Sequence, residues 1–233
     1  MQQFPILMIP GLNATPRVFH PHMDMLWQHG PVTIAAQRQG STMASIAARI
    51  LADAPPRFAL GGFSMGGYIA FEILRQAPER VLRLALIDTS ARADTAEATE
   101  NRRRGIDLAR AGKLAQAAAA SFPNAVHSSN LDNAEMKAVH LEMAITNGAE
   151  AYIQQQEAII ARPDSRPMLG ELRVPTAVIV GDGDKITPVE VAREMADGIA
   201  GATLSVIAGA GHMALVEQPE AVRAALQAWL EQG

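Results

Sequence analysis

GGFSMGGYIAFEIL, residues 61–74, contains one serine, Ser64, with a pair of glycines on each side of it. An apolar run typical of a buried strand precedes the serine, and a segment with apolar residues at helical spacing follows it. A plain turn needs fewer glycines than this. Four glycines placed symmetrically about one serine predict a sharp strand-to-helix turn in which neighbouring backbones approach closely.

The motif is G-x-S-x-G, with Gly62 two residues before Ser64 and Gly66 two residues after it. A nucleophile on such a turn has a strained backbone, and the flanking positions must be small because they nearly touch. The turn lifts the Ser64 hydroxyl clear of the sheet and directs the start of the next helix, which favours negative charge, toward the group that Ser64 attacks. The competing interpretation is a tight structural turn without catalysis.

Serine is a weak nucleophile that needs a base, and the base needs an acid to orient it. For this turn the expected chain order is Ser, acid, His, with each partner after a later strand. His212 lies in GAGHMALVEQP, residues 209–219, and is the only one of six histidines after the last predicted strand. We therefore predict His212 as the base; the alternative is a solvated loop histidine.

Three aspartates compete for the role of the acid. Asp184 is preferred because it lies beyond the strand end in VGDGDKITP, residues 180–188, after two glycines that give the loop freedom. Asp182 is nearer the strand end and could cap the loop instead. Asp88 follows another strand, and we expect it to brace its loop by hydrogen bonds to the backbone.

Short apolar runs alternate with helical patterns along most of the chain. Strands are predicted at residues 4–9, 32–36, 58–63, 81–87, 176–180 and 203–208, and helices at residues 41–54, 66–76, 188–199 and 219–230. Strands that are apolar throughout are buried on both faces, which predicts an α/β fold with a mostly parallel, doubly wound sheet. Residues 91–171 contain no strand run and predict a helical cap, or lid, over a core formed by residues 1–90 and 172–233.

Composition excludes several classes of function. The chain has 233 residues, is 48% apolar and 19% charged, carries a net charge of -4 and has no cysteine. Thiolate catalysis, disulfides and cysteine-based zinc sites are therefore excluded, and no basic face suggests nucleic acid. The sequence shows no signal peptide and no apolar run long enough to span a bilayer, so we expect a cytoplasmic protein without a membrane partner. We expect it to be a monomer or a homodimer.

The chain resembles the α/β-hydrolase superfamily over nearly its whole length. The resemblance rests on PGLNAT, GFSMGGYIAFEILRQAPERV, LALIDTSA, VGDGDKITP and GAGHMALVEQPEAV, which follow the family's order. It is similar to the small bacterial members with a short helical cap, and the first hairpin of larger members is absent. The resemblance implies an oxyanion hole made by the backbone N–H groups of Leu12 and Met65, with Pro10-Gly11 where many members have His-Gly.

That resemblance implies a serine hydrolase of carboxylesterase type, acting on a small-molecule acyl substrate with no cofactor and no metal. The same groups serve lactone, thioester or amide hydrolysis. A second class is C–C bond cleavage or elimination on a carboxylate-bearing substrate, which would need arginines at the pocket; the candidates are Arg92, Arg102, Arg103, Arg104 and Arg166. A third is a binding protein that kept the fold, although a binder has no need of all three triad residues.

Three weaker motifs are typical of other functions. Residues 209–214 match G-x-G-x-x-A, but too little chain follows for a dinucleotide-binding unit. Asp182 and Asp184 could begin a calcium loop, but the remaining ligands are absent. His20 and His22 could bind a metal, but they lack a third ligand.

Overall fold

The computed structural model describes residues 3–232. Six strands form one parallel sheet in the order β2-β1-β3-β4-β5-β6. The strands are β1 (Ile6–Ile9), β2 (Val32–Ile34), β3 (Phe58–Phe63), β4 (Val81–Ile87), β5 (Thr176–Gly181) and β6 (Thr203–Ile207). The helices are α1 (Met23–His29), α2 (Met43–Asp53), α3 (Met65–Gln76), α4 (Ala96–Arg110), α5 (Leu114–Ala125), α6 (Ala134–Asn147), α7 (Ala149–Ile160), α8 (Val189–Gly198), α9 (Ala214–Glu217) and α10 (Pro219–Glu231).

The sheet separates two apolar layers, as the strand geometry requires. Successive residues of a strand point to opposite faces. In β1, Leu7 and Ile9 pack into the layer that holds α2, α3 and α8, whereas Ile6 and Met8 pack into the layer that holds α1 and α10. The predicted α/β fold, with helices on both faces of a parallel sheet, is confirmed.

The two edge strands differ from the expectation that every strand is buried on both faces. All three residues of β2 are partly or fully exposed, and Val206 of β6 is 43% exposed. Each edge strand has a neighbouring strand on one side only. β2 also ends at Ile34, two residues earlier than predicted.

The short α9 and a longer helical region near the amino terminus were not predicted from the sequence. A 3₁₀ helix covers Pro16–His22 and α1 follows it directly. Two prolines and the small number of turns leave no clear periodicity to detect there. Phe19 and Leu26 of this region are fully buried beneath the sheet.

Residues 91–171, called here the helical segment, contain α4 to α7 and no strand. α4 packs on α7, and α5 packs on α6. The Met213 N–H, in the loop after β6, donates to the Ala125 carbonyl at 3.0 Å, so the segment contacts a loop at the carboxyl ends of the strands. Its role as a cap stays a prediction. Across residues 3–232, none of the helices has both the length and the apolar character needed to cross a bilayer.

Candidate active site

Ser64 occupies the turn between β3 and α3 in a strained conformation, with φ 54° and ψ -117°. For a residue other than glycine, such a conformation costs about 1–3 kcal/mol and persists only where the surrounding structure holds it. Here the Ser64 N–H donates to the Ile87 carbonyl at 2.9 Å, and the Ser64 carbonyl accepts from Thr89 Oγ1 at 2.7 Å. The strand-to-helix turn expected from the glycine spacing is therefore present and held by β4 and the loop after it.

The glycines beside Ser64 are required by contacts between backbones. A Cβ atom on Gly62 would lie 2.4 Å from the Gly66 carbonyl oxygen, and a Cβ atom on Gly66 would lie 2.1 Å from the Ile9 carbonyl oxygen. Real Cβ atoms do not approach oxygen so closely. The two glycines of the motif thus let β1, β3 and α3 meet at the serine.

The three residues predicted as a triad are hydrogen-bonded in one line. Ser64 Oγ lies 2.8 Å from His212 Nε2, and His212 Nδ1 lies 2.8 Å from Asp184 Oδ2. His212 is buried, and the Phe63 ring lies beside it with the ring centroids 5.6 Å apart. This geometry lets Ser64 donate its proton to Nε2 while Asp184 accepts from Nδ1. The catalytic role of the three residues stays a prediction.

The Asp184 carboxylate is held ionised by its neighbours. Oδ1 accepts from the N–H groups of Ile186 and Thr187 at 2.8 and 2.9 Å, and Oδ2 accepts from Thr187 Oγ1 at 2.8 Å. Burial alone would raise the pKa of Asp184, but the His212 charge and the hydrogen bonds from His212 and Thr187 outweigh it and lower that pKa. Asp184 therefore carries a negative charge at neutral pH and can stabilise a protonated His212.

The two alternative acids accept hydrogen bonds from backbone N–H groups, one in a loop and one at the end of β5. Asp182 Oδ1 accepts from the Gly209 N–H at 2.9 Å, so Asp182 ties the loop after β5 to the loop after β6. Asp88 Oδ1 accepts from the Gly181 N–H at 2.9 Å, which is the bracing contact expected for it. Burial, and secondarily the Asp184 charge, raise the pKa of Asp88 well above its usual value. A carboxyl group beside ionised Asp184 is thereby favoured in its neutral form.

Asp88→Asn is expected to change how stability depends on pH. In the unfolded chain Asp88 ionises near pH 4, whereas in the folded protein it stays protonated to a higher pH. As the pH rises between these two pKa values, the free energy of unfolding of the wild type therefore falls by about 1.4 kcal/mol per pH unit. The variant has no carboxyl group at this position, so its free energy of unfolding does not fall for this reason. Urea unfolding at about pH 4 and pH 6 should show the stability of the variant rising relative to the wild type.

The control for this measurement is Asp197→Asn, which changes an exposed aspartate on α8. Its pH profile should run parallel to that of the wild type. A parallel profile for Asp88→Asn as well would mean that Asp88 is ionised in the folded protein.

The two backbone groups implied as oxyanion donors lie beside the serine. Met65 is the first residue of α3, and the first N–H groups of a helix have no partner within it. Leu12 lies in the loop after β1, and Gly11 of that loop is so near the serine that an added Cβ would be 3.0 Å from Ser64 Cβ. Within residues 3–232, the hydrogen bonds of this loop use the N–H groups of Asn13 and Ala14 and none uses that of Leu12.

Glu217 is a residue of the site that the sequence interpretation missed. It is buried in α9; Oε1 accepts from the Gly211 N–H at 2.8 Å, and Oε2 accepts from the His127 N–H at 2.7 Å. Asn130 Nδ2 donates to the same Oε2 at 2.9 Å. Glu217 thus holds the residue before His212 and ties it to the helical segment. The only signal in the sequence was an acidic residue directly after the apolar residues 214–216.

Most arginines proposed as a clamp for a substrate carboxylate are engaged within the protein. Arg102 bonds to Asp94 and to Gln156, and both Arg92 and Arg166 pair with Glu194. The remaining two candidates, Arg103 and Arg104, are exposed. These contacts give no support to the arginine clamp.

Of the two histidines that could bind a metal, His20 and His22, the second is engaged within the protein. His22 is buried, and its Nε2 lies 2.9 Å from the Leu215 carbonyl oxygen. In the part of the chain that the structure describes, no group of three or more His, Cys, Asp or Glu side chains is arranged to hold a metal ion.

Comparison with known proteins agrees with this fold. The model of a family described as having the alpha/beta hydrolase fold matches residues 54–219, more than half of the chain. A 3-oxoadipate enol-lactonase 2 from Acinetobacter baylyi is 29% identical over 74% of this chain, and the match spans 63% of that relative's length. A pimeloyl-[acyl-carrier protein] methyl ester esterase from Aromatoleum aromaticum is 26% identical over 78% of this chain and 77% of its own length.

Among solved structures, a malate-bound thermophilic esterase from Thermogutta terrifontis superimposes with a TM-score of 0.89. It is 30% identical and covers 98% of this chain and 90% of its own. The strand order and the turn at Ser64 agree with the family match. The chain therefore belongs to the alpha/beta hydrolase fold family.

Proposed function

We propose that this protein is a serine hydrolase that cleaves carboxylic esters of small or medium acyl groups. The observation that carries the proposal is the continuous hydrogen-bonded line from Ser64 Oγ through His212 to Asp184, with both distances 2.8 Å. The likeness to esterases in sequence and structure supports the same bond type. The proposed substrate is a small molecule, and every step uses groups of this chain and water.

In the first half of the reaction, Ser64 Oγ attacks the ester carbonyl carbon while its proton passes to His212 Nε2. The carbonyl oxygen becomes an oxyanion, which the N–H groups of Leu12 and Met65 stabilise. Asp184 stabilises the imidazolium that forms. His212 then gives its proton to the leaving alcohol, the C–O bond breaks, and the acyl group remains on Ser64.

In the second half, water attacks the acyl-enzyme carbonyl and gives a proton to His212. A second oxyanion forms in the same place and collapses, releasing the carboxylic acid. The proton returns from His212 to Ser64 Oγ. The strained turn keeps Oγ exposed toward the substrate throughout, so the serine does not have to move between the two halves.

A lactone is the second candidate substrate, because one relative is named an enol-lactonase. The same steps open a cyclic ester, and the leaving alcohol stays attached to the acyl group. Ring opening therefore differs from ester cleavage only in the shape of the pocket that holds the leaving oxygen. Thioester and amide hydrolysis remain alternatives that use the same groups.

The test is the intact mass of the protein after treatment with a fluorophosphonate, for the wild type and for Ser64→Ala. We expect one adduct on the wild type and none on Ser64→Ala, since only an activated serine displaces fluoride from phosphorus. Ser121→Ala is the matched control, because Ser121 Oγ also lies near a histidine, 3.0 Å from His140 Nε2. It should form the adduct like the wild type.

Panels of esters, lactones, thioesters and amides then determine the bond type by comparing kcat/KM. Absence of the adduct on folded wild type would contradict the proposal and favour a binding protein. Persistence of the adduct on Ser64→Ala would also contradict it, because the reactive nucleophile would then be another side chain.

A further inference from the structure

The loop that carries Leu12 is held by buried side-chain amides. The Ala14 N–H donates to the Gly11 carbonyl at 3.2 Å, which closes a turn with Leu12 and Asn13 at its centre. Asn13 has φ 58°, a left-handed conformation that asparagine tolerates better than most residues. A four-residue turn of this kind has few contacts of its own to set its orientation.

Gln37, in the loop after β2, supplies part of the missing support. Its Nε2 donates to both the Gly11 and the Ala14 carbonyls at 3.0 Å, and its side chain is buried. One amide therefore holds the first and last residues of the turn together. Pro10, just before the turn, has no polar side chain that could do this.

Gln155, on α7 of the helical segment, completes the support from the opposite side. Its Oε1 accepts from the Asn13 N–H at 3.1 Å, and its Nε2 donates to the Gln37 carbonyl at 3.2 Å. Gln155 is fully buried, so water does not compete for these bonds. Asn147 adds a further donor to the Ala14 carbonyl at 3.1 Å.

We propose that Gln37 and Gln155 are positioning residues for the oxyanion hole, acting through the turn that presents the Leu12 N–H. The proposal rests on the proposed function, because it assigns this N–H to the oxyanion of the reaction. Gln155 fixes the peptide group immediately after Leu12, and Gln37 fixes the ends of the turn. Neither side chain needs to touch the substrate.

A consequence concerns the helical segment. Asn13 and Gln155 are 142 residues apart in the chain, and their hydrogen bond joins the core to α7. The direction of the Leu12 N–H therefore depends on how α7 lies on the core. The oxyanion hole is therefore complete only when α7 of the helical segment packs on the core and Gln155 bonds to Asn13.

The experiment compares Gln155→Met with the wild type. Methionine keeps the length of the side chain but neither accepts from Asn13 nor donates to Gln37. Two quantities are measured: kcat and KM for the best ester, and the inhibition constant of the trifluoromethyl ketone with the same acyl group. Ser64 adds to this ketone to form a tetrahedral oxyanion that takes the same two N–H donors.

We expect kcat/KM to fall roughly 10-fold to 100-fold through kcat, less than the 10²–10³-fold lost when a donor is removed outright. Affinity for the ketone should fall by the same factor, while KM and the titre of reactive Ser64 stay unchanged. Gln37→Met, which removes the two bonds to the Gly11 and Ala14 carbonyls and buries no charge, should show the same pattern of losses. It also keeps the test valid if Gln155→Met does not fold.

Gln154→Met is the matched control, one residue earlier on α7, where Gln154 accepts from the Gly40 N–H instead. It should match the wild type in every quantity. Wild-type kinetics and ketone affinity in both Gln155→Met and Gln37→Met would overturn the inference. Losses explained entirely by a smaller fraction of reactive Ser64 would overturn it as well. A wild type without Ser64-dependent turnover would instead contradict the proposed function.

Discussion

His212→Ala is expected to lower kcat for ester cleavage by about 10⁶-fold, with little change in KM. The residue lies between Ser64 and Asp184, and its removal leaves the serine proton without an acceptor at 2.8 Å. In other serine hydrolases a loss of the base costs about as much as removal of the entire triad, because the residues act as a unit. Initial rates on a chromogenic ester measure the effect.

The control for this prediction is His20→Ala, because His20 is exposed and lies outside the site. It should keep wild-type rates. Removal of His212 takes away the Nδ1–H donor of the buried Asp184 carboxylate, which can lower stability, so urea unfolding of both variants should accompany the kinetics. A folded His212→Ala protein with a rate within about 100-fold of the wild type would mean that another group serves as the base.

Gly66→Ala is expected to destabilise the protein by about 3 kcal/mol and to remove activity in whatever fraction folds. The added methyl group would lie 2.1 Å from the Ile9 carbonyl oxygen and 3.0 Å from that of Pro10. Both are backbone atoms at the end of β1, so no side-chain rotation relieves the contact. The turn itself would have to shift, and Ser64 with it. Urea unfolding measures the loss of stability.

Gly170→Ala is the matched control, since no atom lies within 4 Å of a Cβ placed there. Its midpoint of unfolding should remain close to that of the wild type. Equal midpoints for the two alanine variants would show that β1 and α3 can separate without cost, contrary to the packing described here.

The sequence alone was sufficient to predict the fold and to select three residues, Ser64, His212 and Asp184, that the structure brings together. Buried parallel strands are short apolar runs, and the glycines around Ser64 follow from a local backbone constraint, so both are visible along the chain. His212 and Asp184 could be predicted because the carboxyl ends of parallel strands meet at one edge of the sheet. The prediction was less accurate for the edge strand β2 and missed the short helices over residues 16–29.

Other features of the site could be decided only by the tertiary structure. Gln155 looks like any polar residue of an amphipathic helix, yet it is fully buried against a turn 142 residues away. Glu217 likewise belongs to no recognisable motif, yet it accepts a hydrogen bond from His127 of the helical segment, 90 positions earlier. Such roles depend on which loops and helices the fold brings together. A side-chain hydrogen bond depends on distance and direction in space, and it produces no periodic pattern in the sequence.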